Sequence, residues 1–273
     1  MTYENAFEIL GSVRKGINDF TDARWKGTDT TSPYDNNEIL KRINDAQRWL
    51  YNIILVRKPE FFLTSISLTV TSGYVTLPSD YYRMRRLEDS DGYQLIEKDV
   101  DQLRLSGETG SRRFYYWLNN RIYFDFDSPS DPTLYYLKRV RDLTAGMSSA
   151  GGAKSITLAT SAKKIADYYN GLSIENYTAD WVDTISDYTA ARVCTLSAET
   201  ASSSQYYGLV SELPEAFHSF IARKAVLLMK QNYKALGPAS RDEINDFNID
   251  LGEAISGFLG TIDANQDISE LFE

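Results

Sequence analysis

The chain has 273 residues and a mass of 31.0 kDa, with 42% hydrophobic and 25% charged residues. These values allow one large or two small globular domains with an ordinary hydrophobic core. A formal net charge of −9 argues against a protein that wraps nucleic acid, because phosphate neutralisation requires clustered positive charge.

The N-terminal residues contain no basic segment followed by an apolar stretch, so no signal peptide is predicted. Cys194 is the single cysteine, which excludes an internal disulfide and gives no indication of an oxidising compartment. No apolar run approaches the length of about 18 residues that a membrane helix requires, so no membrane span is predicted. We therefore expect synthesis and folding in a cytoplasm.

Tyrosine is unusually frequent, with 19 residues. Its ring supplies a large contact area and its hydroxyl a polar tip, which suits both half-buried sheets and protein interfaces. Two interpretations therefore remain open: extensive contact surface, or a tyrosine-rich β core.

Residues 1–62 are predicted to form the helical part of a core. In residues 3–22, apolar side chains recur at three- and four-residue steps and share one face. A second helix begins with the capping-box spacing of Asp35 and Glu38. We expect it to end before Pro59.

Residues 63–144 are predicted to form a central antiparallel β region. The alternating segments 63–70 and 74–77 flank Ser72-Gly73, which indicates a hairpin. A second hairpin is predicted at 114–126, around Asn119-Asn120. A further strand is predicted at 133–140, and a short helix at 99–106.

Residues 145–205 are predicted to be a small β module inserted into the larger domain. The segment 144–154 contains Gly146, Gly151 and Gly152 and has the composition of a linker. A polar stretch at 198–205 closes the module. Four short strands are predicted within it, at 155–159, 172–177, 181–186 and 191–197.

Residues 206–273 are predicted to return to helix and to end in a tail. Pro214 suits a first helical turn, and the helix after it is apolar almost all round, which indicates burial on most sides. Ser240 and Glu243 form another capping-box spacing ahead of a near-heptad apolar stripe. Residues 263–273 are acidic, and we expect them to be disordered alone and to order against a portal or a neighbouring subunit through three apolar anchors, Ile268, Leu271 and Phe272.

The overall expectation is an α+β protein. A helical bundle built from both chain ends carries the central antiparallel β region and the inserted β module. Helices contributed by the first and last quarters of the chain are expected to pack together as one bundle.

Candidate catalytic and metal-binding groups are few. His218 is the single histidine, so nucleophilic triads would all have to use it, and we interpret it as a buried interface or cap residue. Residues 146–155 depart from the P-loop pattern, because Gly152-Ala153 intervene before Lys154-Ser155 and a strand-like segment follows. No metal, cofactor or catalytic residue is predicted.

Two groups of closely spaced carboxylates are interpreted as solvated strand ends and turns. A calcium loop or an acid–base pair is the alternative that their spacing leaves open. The groups are Asp125, Asp127 and Asp131, and Asp180, Asp183 and Asp187.

Arginines interleaved with tyrosines give the candidate interface. Such clusters occur in nucleic-acid platforms and equally in the energetic centres of protein–protein interfaces. The acidic net charge favours the protein interface. The candidate interface residues are Arg83, Arg85, Arg86, Tyr115 and Tyr116, together with the tail residues Ile268, Leu271 and Phe272.

Three stretches resemble the head-to-tail adaptor, or head-completion, proteins of short-tailed and related phages. The first is the second helix, at 37–55, with Ile43-Asn44-Asp45-Ala46-Gln47 at its centre. The second is Val75-Thr76-Leu77-Pro78-Ser79-Asp80-Tyr81-Tyr82-Arg83, together with 122–129 and 134–136. The third is Leu213-Pro214-Glu215-Ala216-Phe217-His218 and the helix that it opens.

The resemblance implies a structural, non-enzymatic virion protein of the phage neck, made in the host cytoplasm. It implies a dodecameric ring that binds the portal on one side and the tail nozzle or tail tube on the other. DNA would pass through the lumen without specific binding. The alternative is a phage tail or receptor- or carbohydrate-binding protein that uses the Tyr- and Trp-rich module at 145–205.

Overall fold

The structure is a computed structural model that describes residues 5–28, 31–32, 34–99, 114–119, 121–124 and 131–259. It divides the chain into two compact units. We call Pro59–Arg139 the β unit, and Met1–Lys58 with Val140–Glu273 the helical unit. Helices near both chain ends and predominantly antiparallel sheets confirm the predicted α+β class.

The helices of the helical unit come from both ends of the chain, as predicted. In chain order they are α1 (Ala6–Gly16), α2 (Asp22–Trp25), α3 (Asn36–Arg57), α4 (His218–Asn232) and α5 (Arg241–Leu259). Helix α4 packs against α1, α3 and α5, so it occupies the centre of the bundle. Its buried apolar residues explain why its sequence lacks a clear polar face. Within the described residues, no helix has the length and hydropathy needed to cross a bilayer.

Helix α1 is shorter than the predicted span of 3–22. It starts after Asn5, which forms a complete capping box with Glu8, and it ends at Gly16. Asn18 then adopts a positive φ of 57°, a conformation that terminates a right-handed helix. The chain turns back, so that the indole Nε1 of Trp25 donates to the Phe7 carbonyl at 2.8 Å. Of the predicted span, residues 6–16 therefore form α1, and residues 17–21 form the turn that leads to α2.

The predicted capping box of α5 is confirmed, and that of α3 is confirmed for its Asp35 half. The Asp35 carboxylate accepts from the Glu38 N–H at 2.7 Å, and α3 ends at Arg57, before Pro59. Ahead of α5, the Glu243 N–H donates to the Ser240 hydroxyl at 3.0 Å, and Glu243 accepts from the Ser240 N–H at 2.9 Å. These reciprocal bonds satisfy donors that the first turn otherwise leaves without partners.

The β unit contains two sheets that share one apolar core. One sheet has the order β1-β7-β3 and the other β2-β6-β5-β4. The strands are β1 (Leu63–Ser67), β2 (Tyr74–Thr76), β3 (Tyr81–Glu88), β4 (Ile96–Glu97), β5 (Phe114–Leu118), β6 (Arg121–Phe124) and β7 (Thr133–Lys138). The core between them contains Leu68, Val75, Leu87, Leu95, Tyr115, Ile122, Leu134 and Tyr136.

The predicted hairpin at 63–77 is wrong, although its turn exists. Ser72 and Gly73 have φ values of 55° and 80°, and an isolated bridge joins Thr71 to Tyr74. Beyond this turn the flanking strands separate, because β1 pairs with β7 and β2 pairs with β6. The predicted hairpin around Asn119 is confirmed, since β5 and β6 pair antiparallel across it.

The second part of the helical unit contains a six-stranded sheet in the order β8-β13-β10-β11-β12-β9. Its strands are β8 (Ala145–Met147), β9 (Ala150–Thr157), β10 (Ser173–Asn176), β11 (Trp181–Tyr188), β12 (Val193–Thr200) and β13 (Tyr206–Leu209). The edge strands β8 and β9 are joined by Ser148-Ser149, a link that spans at most about 10 Å. Edges of a flat sheet of this size would lie about 24 Å apart, so the sheet must curve towards closure.

The predicted linker at 144–154 is wrong, because this segment forms β8 and the start of β9. Gly151 in this segment allows two backbone segments to pack closely. A Cβ at Gly151 would lie 2.6 Å from the backbone carbonyl of Ala201, at the end of β12. Only glycine allows the two backbones to approach in this way.

The curved sheet packs against α1. Gly208 of β13 lies against the N-terminus of α1, where an added Cβ would come within 2.5 Å of the Phe7 nitrogen. The Phe7 ring stacks on Tyr206, with centroids 5.2 Å apart, and also contacts Tyr177. The predicted subdivision into residues 1–62, 63–144, 145–205 and 206–273 stays a prediction. The short helix predicted at 99–106 lies almost wholly outside the described residues.

Candidate interaction surface

The arginine-rich strand β3 is an edge strand of the sheet β1-β7-β3. Its pairing with β7 shifts register twice, between Tyr81 and Arg83 and between Met84 and Arg86. Tyr82 and Arg85 are the extra residues at these irregularities. Bulges twist an edge strand and interrupt its row of unpaired backbone groups, which protects it against strand addition by other chains. Other proteins are therefore expected to contact this edge through its side chains rather than by adding a strand to the sheet.

The arginine side chains of β3 project from the β unit. Arg83, Arg85 and Arg86 are all exposed. The guanidinium of Arg86 lies over the Tyr135 ring, 4.6 Å from its centroid, and pairs with Glu88 at 3.0 Å. Stacking on an aromatic face reduces the freedom of an arginine and leaves its edge N–H donors available.

A second cation–π pair extends this surface. The guanidinium of Arg139 lies 5.4 Å from the centroid of the exposed Tyr82 ring. Arg139 is held beside β3 because its N–H donates to the Asp80 carbonyl at 2.7 Å. We define the basic edge as Tyr82, Arg83, Arg85, Arg86 and Arg139.

The candidate tyrosines occupy different environments. Tyr115 is only 6% exposed, and its hydroxyl lies 3.2 Å from the Met84 sulfur and 3.4 Å from a Glu97 carboxylate oxygen. Burial, followed by the nearby Glu97 charge, raises the pKa of Tyr115. Tyr116 is half-buried and stacks on Tyr123, with centroids 5.5 Å apart. Tyr115 thus supports β3 from beneath, and the arginines form the surface.

The remaining candidate interface residues, Ile268, Leu271 and Phe272, lie outside the described residues. So do Asp125 and Asp127 of the first carboxylate group. Within the part of the chain that the structure describes, no group of three or more His, Cys, Asp or Glu side chains is arranged to hold a metal ion.

The single histidine and the single cysteine are both buried. His218 is 2% exposed, and its Nε2 lies 2.9 Å from the Leu213 carbonyl, which it holds at the start of α4. Cys194 is fully buried in the curved sheet, and burial raises its pKa to about 12. The thiol therefore stays protonated at neutral pH, which does not suit a nucleophile.

Asp183 performs a structural task in the curved sheet. Its Oδ2 accepts from the N–H groups of Ala198 and Glu199 at 2.9 and 2.8 Å, and its Oδ1 from Thr184 at 2.6 Å. Burial alone would raise the pKa of Asp183, but these backbone donors outweigh it and lower the pKa. The side chain thereby joins β11 to the last part of β12.

Tyrosines of the curved sheet point into its interior. Tyr169, Tyr188 and Tyr207 are each at most 1% exposed. The Tyr207 hydroxyl accepts from the Ala159 N–H at 2.7 Å, and the Tyr169 hydroxyl accepts from the Lys163 N–H at 3.2 Å. The abundance of tyrosine in this part of the chain reflects a β core with internal hydrogen bonds.

The motif Ile43-Asn44-Asp45-Ala46-Gln47 joins α3 to the segment of the helical unit that begins at Val140. The Asn44 amide donates to the Leu143 carbonyl at 3.0 Å and accepts from the Leu143 N–H at 2.6 Å. The Gln47 amide donates to the Arg141 carbonyl at 2.9 Å and accepts from the Ser211 hydroxyl at 2.8 Å. Two amides within the apolar stripe of a helix were the sequence signal for these contacts.

The chain belongs to the SU10 adaptor protein family, whose model matches residues 4–172. The resemblance to phage head-to-tail adaptors is thereby confirmed. A comparison with curated protein sequences found no match.

The family match runs from the start of α1 to the residue before β10, and it includes the whole β unit. The basic edge and the Asn44–Gln47 motif both lie within it. The third stretch of the resemblance, which opens α4 at Leu213-Pro214, lies beyond the matched residues.

Proposed function

We propose that this protein is a non-enzymatic adaptor of a tailed-phage neck. It forms a ring, of twelve copies by analogy with the adaptors that it resembles, which joins the portal to the tail nozzle or tail tube and continues the DNA channel. The protein is made in the host cytoplasm and built into the virion. Family membership carries this proposal, and the basic edge supplies a contact surface for it.

The basic edge has the properties of a protein-contact surface. Arginine and tyrosine are enriched at the centres of interfaces, where a guanidinium can bind carboxylates and cover apolar area at once. Because the chain as a whole carries a net charge of −9, a neighbouring copy is an electrostatically suitable partner for this edge. We assign the basic edge to contacts between copies, with Tyr115 supporting β3 from the core. Tyr116, which stacks on Tyr123, is kept as a separate candidate contact residue.

The same net charge opposes assembly of the free chain. A ring of about twelve copies would bring more than 100 negative charges together, which disfavours spontaneous closure. The ring therefore forms on the portal, and the isolated chain is a monomer or weak oligomer. Acidic and neutral side chains line the lumen, so that DNA passes without being held.

The alternative function, receptor or carbohydrate binding by residues 145–205, has fewer surface aromatic groups than the sequence suggested. Tyr169 and Tyr188 are in the interior, whereas Tyr177 is 43% exposed and contacts Phe7 and Trp25.

The test is the double variant Arg83→Glu/Arg85→Glu, measured for ring formation on purified portal by electron microscopy and sedimentation. Arg86 is retained because it stacks on Tyr135. We expect at least a tenfold loss of assembly with an unchanged melting temperature. The matched control is Lys154→Glu/Lys164→Glu, which alters the charge equally at exposed positions in the curved-sheet region. Normal ring formation by the arginine variant would refute the assignment of the basic edge, and failure of the unmodified chain to bind portal would refute the adaptor function.

A further inference from the structure

An apolar groove lies between α4 and α5, beside the loop that joins them. Its floor is formed by Leu227, Ile244 and Phe247, and Pro238 closes one end. Phe247 is 2% exposed, whereas Ile244 is 42% exposed. The apolar core of the helices therefore extends to the surface in this groove, and none of the described residues covers it.

Lysines surround this groove. Lys224, Lys230 and Lys234 line it, and its described lining residues include no carboxylate. Lys230 pairs with Glu243 at 2.6 Å. The Lys224 ammonium lies 4.1 Å from the centroid of the Trp49 ring, and burial lowers its pKa. A cation that has lost hydration gains most from an added carboxylate. A peptide segment with apolar side chains between acidic ones would fill the apolar groove and pair with its lysines.

The C-terminal sequence of this chain has that composition. Residues 263–273 contain four carboxylates, Asp263, Asp267, Glu270 and Glu273, and the three apolar side chains of Ile268, Leu271 and Phe272. We infer that, in the free chain, the α4–α5 groove binds the chain's own C-terminal segment. This inference replaces the expectation that the segment is disordered in the free chain, and it does not rest on the proposed ring.

The length of the segment fits binding within one chain. From Asn248, at the groove, to Leu259, at the end of α5, the helix rises about 17 Å. The residues from 260 to Ile268 can span up to about 30 Å. The segment can therefore return alongside α5 and bring its apolar residues to the groove.

The tether favours this occupant over a separate copy. A short covalent tether gives an effective local concentration on the order of millimolar. A second copy at micromolar concentration competes at a disadvantage of about a thousandfold. The bound segment would cover Ile244 and keep its own apolar anchors out of water until a partner competes for them.

The test uses carbodiimide, which joins lysine to carboxylate without a spacer, on an equal mixture of isotopically light and heavy full-length chains. Mass spectrometry then separates links within one chain from links between chains. We expect same-isotope links from Lys230 or Lys234 to Glu270 or Glu273. Leu271→Ser/Phe272→Ser in the segment and Ile244→Ser in the groove should each reduce these links about fivefold. The matched control is Ile249→Ser, which removes an exposed apolar side chain of α5 outside the groove and should leave them unchanged.

Three results would overturn the inference. Mixed-isotope links as frequent as same-isotope links would assign the groove to a second copy. Links from the segment to the exposed Lys154 and Lys164 at the same frequency would show no preferred site. Unchanged links in the Leu271→Ser/Phe272→Ser variant, which leaves all the described residues intact, would remove the role of the apolar anchors.

Discussion

The side-chain amide of Asn44 pairs with the backbone of Leu143 through both of its polar atoms, at 3.0 and 2.6 Å. The arrangement reproduces a pair of sheet hydrogen bonds between a helix side chain and an extended segment. Both residues are buried, so water cannot replace either bond. Asn44 therefore fixes the point at which the chain re-enters the helical unit.

Replacing Asn44 by leucine should destabilise the protein strongly. The variant leaves the N–H and the carbonyl of Leu143 buried without these partners, at about 1–3 kcal/mol for each group. We expect a loss of about 2–5 kcal/mol in the free energy of unfolding, measured by urea denaturation. Asn52→Leu, at an exposed position of the same helix, is the control and should change stability by less than about 0.5 kcal/mol. Equal losses in both variants would contradict the pairing.

Two glycine-to-alanine substitutions should have opposite effects. At Gly151 the new Cβ would lie 2.6 Å from the Ala201 backbone, so β9 and β12 must separate, and we expect a loss of about 1–3 kcal/mol. At Gly252, within α5, an added Cβ would meet no other segment of the described residues within 4 Å, and alanine favours the helix by about 0.5–1 kcal/mol. Thermal melting measures both. A stabilising Gly151→Ala would show that the two backbones do not approach closely.

Removal of the Arg141 guanidinium should cost the buried Glu212 carboxylate its ion pair. Arg141 and Glu212 form an ion pair at 2.8 Å, with side chains 9% and 8% exposed. Arg141→Met is therefore expected to cost about 3–5 kcal/mol. Arg48→Met, which breaks an ion pair of a half-exposed arginine with Asp142, should cost at most about 1 kcal/mol. Urea titration of both variants tests the difference, and similar costs would mean that the Glu212 charge is solvated.

Cys194 should resist thiol reagents in the native protein. Burial raises its pKa to about 12, so its thiolate is scarce at pH 8, and the residue is 0% exposed. We expect modification by a chromogenic disulfide only as fast as the chain unfolds, and complete modification in denaturant. The control is Cys194→Ser/Ser203→Cys, whose exposed thiol should react within minutes. Rapid native modification of Cys194 would indicate local opening of the curved sheet.

Local hydrogen-bonding patterns were the most predictable part of the fold. The Asp35 and Ser240 caps and the Asn119 hairpin depend on residues within a few positions of one another, and the structure contains them. The hairpin at Ser72-Gly73 was wrong because turn residues determine the turn and leave open which strands pair beyond it.

Distant contacts account for the other differences. The glycines at 146–152 have the composition of a linker, but Gly151 is required by a backbone some 50 positions away. Likewise, the sequence of β5 does not show which face of the strand is covered by another sheet. The burial of Tyr115 beneath β3 was therefore not predictable. The arginines of β3 were identifiable because three cations on one short strand rarely enter a core.

The bond between Gln47 and Ser211 joins positions 164 residues apart in the sequence. Helix α4, the common packing partner of α1 and α3, comes still later in the chain. During translation at about 5–20 residues per second, the N-terminal helices therefore wait about ten seconds or more for the helix that covers them. Closure of so large a loop also slows refolding of the finished chain. Until then the apolar faces of α1 and α3 are open to chaperones and to aggregation, so the yield of soluble protein should depend on expression rate and temperature.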